Sequence, residues 1–538
     1  MRLLRHSYLV PSLFLPGLFL SLCLAQEGHF HSPASDEQLG SVSFPISCPP
    51  GAQSSFERGV ALMHSFSYAS AEKQFHDLEA KQPDCAMAYW GEAMSLMRQL
   101  VSVPEPADMQ RGAELLQKAQ ALAPKTQREQ DYIHAAALFY AATKDEYKTR
   151  ARNYSSAMEA VYRRYPEDQQ AADFYAESLM NWGQPDDPLA NARRAIAILD
   201  PVFQKNPNDP GAAHYLIHAA DVPQLAPLGL PAARHYAQIA PSVPHALHMP
   251  SHIFARLGLW QEDITSNLAS LAAAQDPASH VGAENQIHAM EFLEYAYLQT
   301  GEDAKAAAII SQFQRVSRDD VTDVLRSPYY DRTITIFPAM YALERHDWKR
   351  ALALQPPPEA EPFNQALAFW ARAVAAGHLR DAAAAQDAVT HYDALLEATK
   401  KSSHAYVVPH MATNHDEAHA WMAFAQGDND EAIRLLNSVA GKQDIEGKGE
   451  IELPAREMLA DMLREVGRPQ QALVEYEKSL EVDPNRFNGL VGAALAAQTL
   501  HQTEKARIDY TQLLKNCDNG AHSNRPELSA AKAFLTHH

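Results

Sequence analysis

A recurring pattern of small, large and turn-forming residues constrains the fold of this chain more than any other feature. In residues 453–486 the pattern occupies the seventh, eighth, eleventh, fifteenth, twentieth, twenty-fourth and thirty-second places of a 34-residue unit, as Leu459, Ala460, Leu463, Gly467, Ala472, Tyr476 and Pro484. Small residues at the eighth and twentieth places let two helices approach closely, and large apolar residues fill the space between them. Glycine suits the tight turn between the helices, and proline ends the second helix. The pattern therefore predicts a helical hairpin.

The same frame returns along most of the chain. Further units are marked by Gly59, Leu62, Ala71, Phe75 and Pro83, by Tyr297, Gly301, Ala306 and Ile310, and by Ala420, Ala423, Gly427, Ala432 and Leu436. No convincing run of alternating strand residues occurs between them. The pattern resembles the tetratricopeptide repeat (TPR), and the resemblance covers nearly all of residues 53–515. It implies an all-α solenoid of about ten to twelve helical hairpins, wound into a right-handed superhelix.

Composition divides the chain around this array. Arg2 and Arg5, followed by the apolar residues 9–24, are typical of a signal peptide that is cleaved before Gln26, which predicts a periplasmic or secreted protein. Three consecutive prolines later in the chain mark a loop that divides the array into two lobes. The predicted organisation is a signal peptide (1–25), an extended N-terminal segment (26–51), an N-terminal TPR-like lobe (52–354), a Pro-rich loop (355–362), a C-terminal TPR-like lobe (363–517) and a C-terminal tail (518–538).

The acidic composition narrows the choice of partners. The formal net charge is −20 at pH 7, and cleavage of the signal peptide makes the chain more negative because it removes Arg2 and Arg5 but no acidic residue. Proteins that bind nucleic acid or anionic membranes carry basic surfaces. After the signal peptide, no segment reaches the apolar length of a transmembrane helix. We therefore expect no nucleic-acid partner and no membrane insertion after cleavage.

Cysteine usage adds one structural prediction. Three cysteines follow the signal peptide, Cys48, Cys85 and Cys517. Thiols tend to pair in the oxidising compartments that receive exported proteins. Cys48 lies just before the first predicted hairpin and Cys85 opens the helix after it. We therefore predict a Cys48–Cys85 disulfide that ties the N-terminal segment to the first repeat and leaves Cys517 unpaired.

Histidine is abundant, with 25 residues, and its spacing follows the repeat. His214 and His218 form an H-x-x-x-H pair, and His248 and His252 form another pair 34 residues later. Prolines that are also 34 residues apart set the frame independently, and in that frame each pair occupies the fifth and ninth places. Residues at i and i+4 lie on one face of a helix. Each pair therefore points to one side of its helix.

Further polar residues fall on the same predicted face. His245 holds the second place of its unit and Asp221 holds the twelfth, while the next unit has His288, Glu291 and Tyr295 at its second, fifth and ninth places. In the TPR family these places face the concave groove. The resemblance therefore implies one common wall on three adjacent helices, whose predicted groove residues are His214, His218, Asp221, His245, His248, His252, His288, Glu291 and Tyr295.

Clustered imidazoles and carboxylates are ligands that suit a transition metal such as zinc or copper. The predicted metal ligands are His214, His218, His248, His252, His288 and Glu291. Two alternatives remain open, because histidine can satisfy buried backbone groups in a helical stack or line a peptide groove as a neutral polar side chain. Pro250 is a specific objection, since proline kinks or breaks a helix. If the helix begins only at Pro250, then His245 and His248 lie in a loop.

The repeat favours an exported scaffold that binds a protein or peptide partner in its concave groove. The alternative is a metal-binding or metal-dependent protein that uses the histidine-rich wall. A solenoid that binds a carbohydrate or another small molecule is a third hypothesis. The sequence has no phosphate-binding loop, nucleophile-elbow serine or dinucleotide fingerprint. It therefore favours binding over catalysis without deciding whether the protein is an enzyme.

Overall fold

Helices form every regular element in the part of the chain that the computed structural model describes. The described residues are 37–141, 146–181, 184, 187–279, 281–321, 327–449 and 451–537. The predicted signal peptide and residues 26–36 lie outside them. Among the described residues, no helix combines the length and the apolar character needed to cross a membrane.

The first half of the array is a series of helical hairpins in which each helix packs against the next one along the chain. Its helices are Gln53–His64 (α1), Tyr68–Lys81 (α2), Ala86–Met97 (α3), Pro106–Ala121 (α4), Gln127–Tyr140 (α5), Tyr147–Arg164 (α6), Gln169–Leu179 (α7), Pro188–Lys205 (α8), Pro210–Ala220 (α9), Ala226–Ile239 (α10), Pro244–His248 (α11) and Pro250–Arg256 (α12). The buried apolar side chains of this half form one cluster, from Leu39 to Phe254.

The second half continues the same packing of consecutive helices. Its helices are Trp260–Gln275 (α13), Ala283–Gln299 (α14), Asp303–Phe313 (α15), Ser327–Glu344 (α16), Trp348–Leu352 (α17), Pro362–Leu379 (α18), Ala382–Lys400 (α19), Val408–Ala425 (α20), Asn429–Glu446 (α21), Ala455–Glu465 (α22), Pro469–Val482 (α23), Phe487–Thr499 (α24), Thr503–Asn516 (α25) and Pro526–His537 (α26). A second apolar cluster, from Ala255 to Ala531, holds this half together.

The turns and helix crossings use glycine as the repeat pattern predicts. Gly301, Gly427 and Gly467 have φ values of 71°, 88° and 74°. This left-handed conformation carries no steric penalty for glycine. At Gly492 a Cβ atom would lie 2.2 Å from the Tyr476 ring, so only glycine lets these two helices come so close. The predicted all-α array of helical hairpins is confirmed.

The N-terminal segment is fastened to the array by a disulfide and by hydrogen bonds. Cys48 and Cys85, the pair proposed from the sequence, form a disulfide with their Cα atoms 5.0 Å apart. Farther from the first hairpin, the backbone N–H of Ser41 donates to the carbonyl of Asn208 at 2.8 Å. Cys517 is free and buried, and burial raises the pKa of its thiol to about 12.

The C-terminal hairpins close on the middle of the array. The Trp260 indole N–H donates to the carbonyl of Asn485 at 2.9 Å, although 225 residues separate them. The Arg256 guanidinium donates to the carbonyl of Lys448 at 2.8 Å across 192 residues. These contacts between distant residues bring α22–α24 against α12–α14. At this point, units that are far apart in the sequence therefore pack against each other.

The buried apolar residues fall into two main clusters. The sequence places a boundary between two lobes at the Pro-rich residues 355–362. In the structure those residues form the loop between α17 and α18, and both helices pack in the same apolar cluster. The change from one core cluster to the other falls between Phe254 and Ala255. The sequence could not show this, because the second cluster depends on contacts between distant units.

Candidate functional site

Six histidines of the predicted wall converge in two groups of three. In each group, one ring nitrogen from every member lies within 4.8 Å of the others. The first triad is His214, His218 and His245, and the second triad is His248, His252 and His288. Each triad takes the fifth and ninth places of one repeat unit and the second place of the next. The two triads are therefore copies of one arrangement, related by the repeat.

The helix around Pro250 keeps its direction despite the proline. Helix α11 ends at His248 and α12 begins at Pro250. Met249 between them has φ −51° and ψ −35°, which are helical values. His248 and His252 therefore keep the spacing of one helical turn. The condition under which His245 and His248 would lie in a loop is not met, since both belong to α11.

The first triad is oriented by a backbone carbonyl. The Nδ1 atom of His214 lies 2.6 Å from the carbonyl oxygen of His64. A carbonyl only accepts, so Nδ1 carries the proton and Nε2 has a free lone pair in the neutral ring. Burial lowers the pKa of His214 to about 3, with smaller effects from His64 and His252, which keeps the ring neutral. This Nε2 lies 3.1 Å from Nε2 of His245.

The second triad is oriented by two side-chain oxygens. The Nδ1 atom of His252 lies 3.0 Å from a carboxylate oxygen of Asp221, and Nδ1 of His248 lies 2.7 Å from Oδ1 of Asn267. The amide nitrogen of Asn267 donates to the carbonyl and a carboxylate oxygen of Asp263, so Oδ1 is the atom that faces His248. Both Nδ1 atoms therefore donate, and both Nε2 atoms carry lone pairs.

These two lone pairs face each other. The Nε2 atoms of His248 and His252 are 3.1 Å apart. Two such lone pairs repel unless a cation lies between them. Histidines that bind a metal usually donate their other ring N–H to a carboxylate, a carbonyl or a similar acceptor. Nitrogens that are each about 2.0 Å from a tetrahedral zinc ion are about 3.3 Å apart, close to the observed distance.

One phenylalanine packs against each triad. The ring of Phe66 lies 4.4 to 5.4 Å from the three rings of the first triad, and the ring of Phe292 lies 4.9 to 5.5 Å from those of the second. Of the six histidines, His214 and His248 are buried, and the other four are partly exposed. Each triad is therefore covered by an apolar ring on one side and reachable by solvent on another.

The remaining predicted residues have other partners. Glu291, predicted as a metal ligand, forms an ion pair with Arg332 of α16. Its distance to Nδ1 of His288 is 3.8 Å, too long for a hydrogen bond. Tyr295 is 2% exposed and its hydroxyl accepts from Arg486. Conversely, His245 joins a triad although the sequence assigned it only to the groove.

Sequence reasoning placed Asp221 on the wall but missed the other residues that orient the rings, although the frame contained a signal. Asp263 and Asn267 hold the twentieth and twenty-fourth places of their unit, where the repeat pattern has a small and a large apolar residue. Both are fully buried. Two polar residues at core places indicate a buried partner that needs them. His64 holds the thirteenth place of the first unit, which also faces the groove in the TPR family.

The helical hairpins recur in the frame read from the sequence, with left-handed glycines at their turns. The fold is TPR-like. No protein-family model matches this TPR-like chain, and no curated protein matches it.

Solved structures of TPR proteins are similar to it at low identity. A TPR protein from Parabacteroides merdae is 14% identical, covers 55% of this chain and 98% of its own, and has a TM-score of 0.27. The human IFIT1 dimer with m7Gppp-AAAA is 12% identical, with coverages of 80% and 90% and a TM-score of 0.38. The TPR domain of P58(IPK) is 13% identical, with coverages of 90% and 99% and a TM-score of 0.20. At these values, nothing about function passes from them to this chain.

Proposed function

We propose that this TPR-like protein binds two transition-metal ions, zinc or copper, one in each histidine triad. The observation that carries the proposal is the pair of Nε2 atoms of His248 and His252, which face each other at 3.1 Å while both Nδ1 atoms donate to oxygens. A proton between the two rings would account for the same distance. It would not account for the third histidine, nor for a second triad at the same places of the neighbouring unit.

The donor atoms narrow the choice of metal. Each of the six histidines offers one imidazole nitrogen as a metal ligand. Such ligands suit zinc and copper, whereas magnesium and calcium prefer oxygen ligands. Three protein ligands per ion are the number found in catalytic zinc sites, where a fourth position stays open.

Part of this wall offers little surface to a peptide partner. His214 is 0%, His248 is 2% and Tyr295 is 2% exposed, so these side chains offer almost no surface. Arg486, from the C-terminal hairpins, covers Tyr295. A protein or peptide partner elsewhere on the scaffold stays a prediction, as does the absence of a nucleic-acid partner.

Export belongs to the same proposal. The signal-peptide pattern of residues 1–25 and the Cys48–Cys85 disulfide both support a periplasmic or secreted location. In such a compartment the protein would take its metal ions after folding or during it. Bound metal would then stabilise only the folded chain, because an unfolded chain has no preformed site.

Elemental analysis of the dialysed protein tests the proposal. We expect about two zinc or copper ions per chain, because each triad offers three ligands. Changing His214 and His218 to alanine should remove about one ion, and changing His248 and His252 to alanine should remove the other. His235→Ala is the matched control, since this histidine of α10 belongs to neither triad and should leave the metal content unchanged. A wild-type protein without retained metal after loading would refute the proposal.

A second prediction concerns Asp221, whose carboxylate orients the ring of His252. Asp221→Asn should weaken metal binding at the second triad about 10- to 100-fold, because the carboxylate holds the ring of His252 and makes its Nε2 a stronger donor. Competition with a chelator of known affinity measures the change. Asp428→Asn is the control, since Asp428 caps helix α21 and asparagine caps helices equally well. Equal affinities in wild type and Asp221→Asn would show that Asp221 does not support the site.

A further inference from the structure

The two triads are neighbours in space as well as copies in sequence. His245 of the first triad and His248 of the second lie on the same short helix, α11, with their ring centres 6.4 Å apart. An ion about 2.0 Å from a ring nitrogen lies roughly 3 Å from the centre of that ring. Two ions bound to neighbouring rings are therefore within reach of one small bridging ligand.

The charge of the site favours an anionic bridge. The six ligands are neutral imidazoles, and neither triad includes a carboxylate or a thiolate. Two carboxylates beside these histidines also pair with cations, Asp221 with Arg256 at 3.0 Å and Glu291 with Arg332. Two metal ions would therefore keep most of their positive charge, and a small dianion between them would neutralise part of it.

Solvent reaches the site through its partly exposed histidines. The side chains of His252 and His288 are 14% and 29% exposed, so solvent reaches the second triad. Phe66 and Phe292 cover one side of each triad. Three ligands per ion leave a coordination position for an outside ligand. Among the metals that suit imidazole, copper binds most tightly in the usual order of divalent ions and also cycles between two oxidation states.

Resting on the proposed function, we propose that the two triads form a single dinuclear copper centre that binds dioxygen between its ions. Each copper(I) ion gives up one electron, so the two ions become copper(II) and dioxygen becomes bridging peroxide. The bond between the two oxygen atoms remains, no proton is taken up and no bond to the protein forms. The reverse transfer of two electrons releases dioxygen and restores both copper(I) ions.

The experiment loads the full chain with copper(I) in the absence of oxygen and then admits dioxygen. Peroxide bound to copper(II) should produce a new charge-transfer absorption band, which should fade when oxygen is removed. Two copper(II) ions coupled through a bridge give no electron paramagnetic resonance signal, so most of the signal expected from the copper content should be lost. Zinc-loaded protein is the control and should show no band with oxygen.

Single variants distinguish one dinuclear centre from two independent copper sites. His245→Ala should retain about one copper ion per chain and give no band with dioxygen, because the second triad is then alone, and the same variant loaded with copper(II) should show its full resonance signal. His235→Ala should behave like the wild type. Two retained copper ions with a full signal and no band would overturn the dinuclear centre and leave metal binding intact. Retention of zinc but not copper would also overturn the dinuclear copper centre and leave metal binding intact. No retained metal at all would refute the proposed function as well.

Discussion

Arg486→Met should lower the free energy of unfolding by about 3–5 kcal/mol, the cost of breaking a buried ion pair by removing one partner. The Arg486 side chain is 1% exposed. It donates to both carboxylate oxygens of Glu457, at 2.9 and 2.8 Å, and to Glu344 at 2.8 Å. Methionine would fill much of the space but leave two buried carboxylates without their cation. Urea unfolding followed by circular dichroism measures the loss.

The loss should depend on pH. Burial raises the pKa of Glu457 to about 7 even beside Arg486, and removal of the arginine should raise it further. A carboxyl whose pKa is higher in the folded than in the unfolded chain binds more protons when folded, so stability falls as pH rises between the two pKa values. The variant should therefore be closer to the wild type at about pH 5 than at about pH 8.

An exposed arginine provides the control. Arg468 pairs with Asp430 at 2.7 Å, but the two side chains are 42% and 85% exposed. Arg468→Met should therefore change the free energy of unfolding by no more than about 0.5 kcal/mol. Changing Glu344 and Glu457 to glutamine in the Arg486→Met background should recover most of the stability. If Arg486→Met unfolds at the wild-type urea concentration at both pH values, Arg486 does not hold the C-terminal hairpins in place.

The hairpins could be predicted because they depend on neighbouring residues. A glycine such as Gly467 decides its own turn, and Gly492 meets Tyr476 within one pair of adjacent units. The closure of the C-terminal hairpins could not be predicted in the same way. It depends on the sum of small rotations between many units, and its contacts, such as that between Arg486 and Tyr295, join residues 191 positions apart. No local sequence pattern determines the total rotation.

The sequence predicted which helix faces carry the candidate site, but it did not predict which residues contact each other there. The repeat frame placed His214, His218, His248 and His252 on one predicted face, and in the structure these four residues belong to the two triads. It did not show that the second-place histidine of each next unit completes a triad, because that depends on the angle between neighbouring units. Glu291 illustrates the limit, since it shares the face of His288 but pairs with Arg332 on α16.

Bound metal should also stabilise the protein, because the second triad spans the division between the two core clusters. His248 and His252 lie on helices whose apolar residues belong mainly to the first cluster, whereas His288 lies on α14, whose apolar residues belong to the second. An ion held by all three would join the two clusters. At a free metal concentration of about 1,000 times the dissociation constant, the gain in the free energy of unfolding should be about 4 kcal/mol.

Thermal unfolding with zinc and with a chelator measures this gain, and two alanine variants show where it arises. His288→Ala should lose most of the zinc-dependent gain while keeping His248 and His252, because two ligands on one side cannot tie the clusters together. His235→Ala should keep the whole gain. If His288→Ala were stabilised by zinc as strongly as the wild type, the ion would not join the clusters. Such a result would restrict the stabilising metal to the first triad, whose three ligands all lie within the first half of the array.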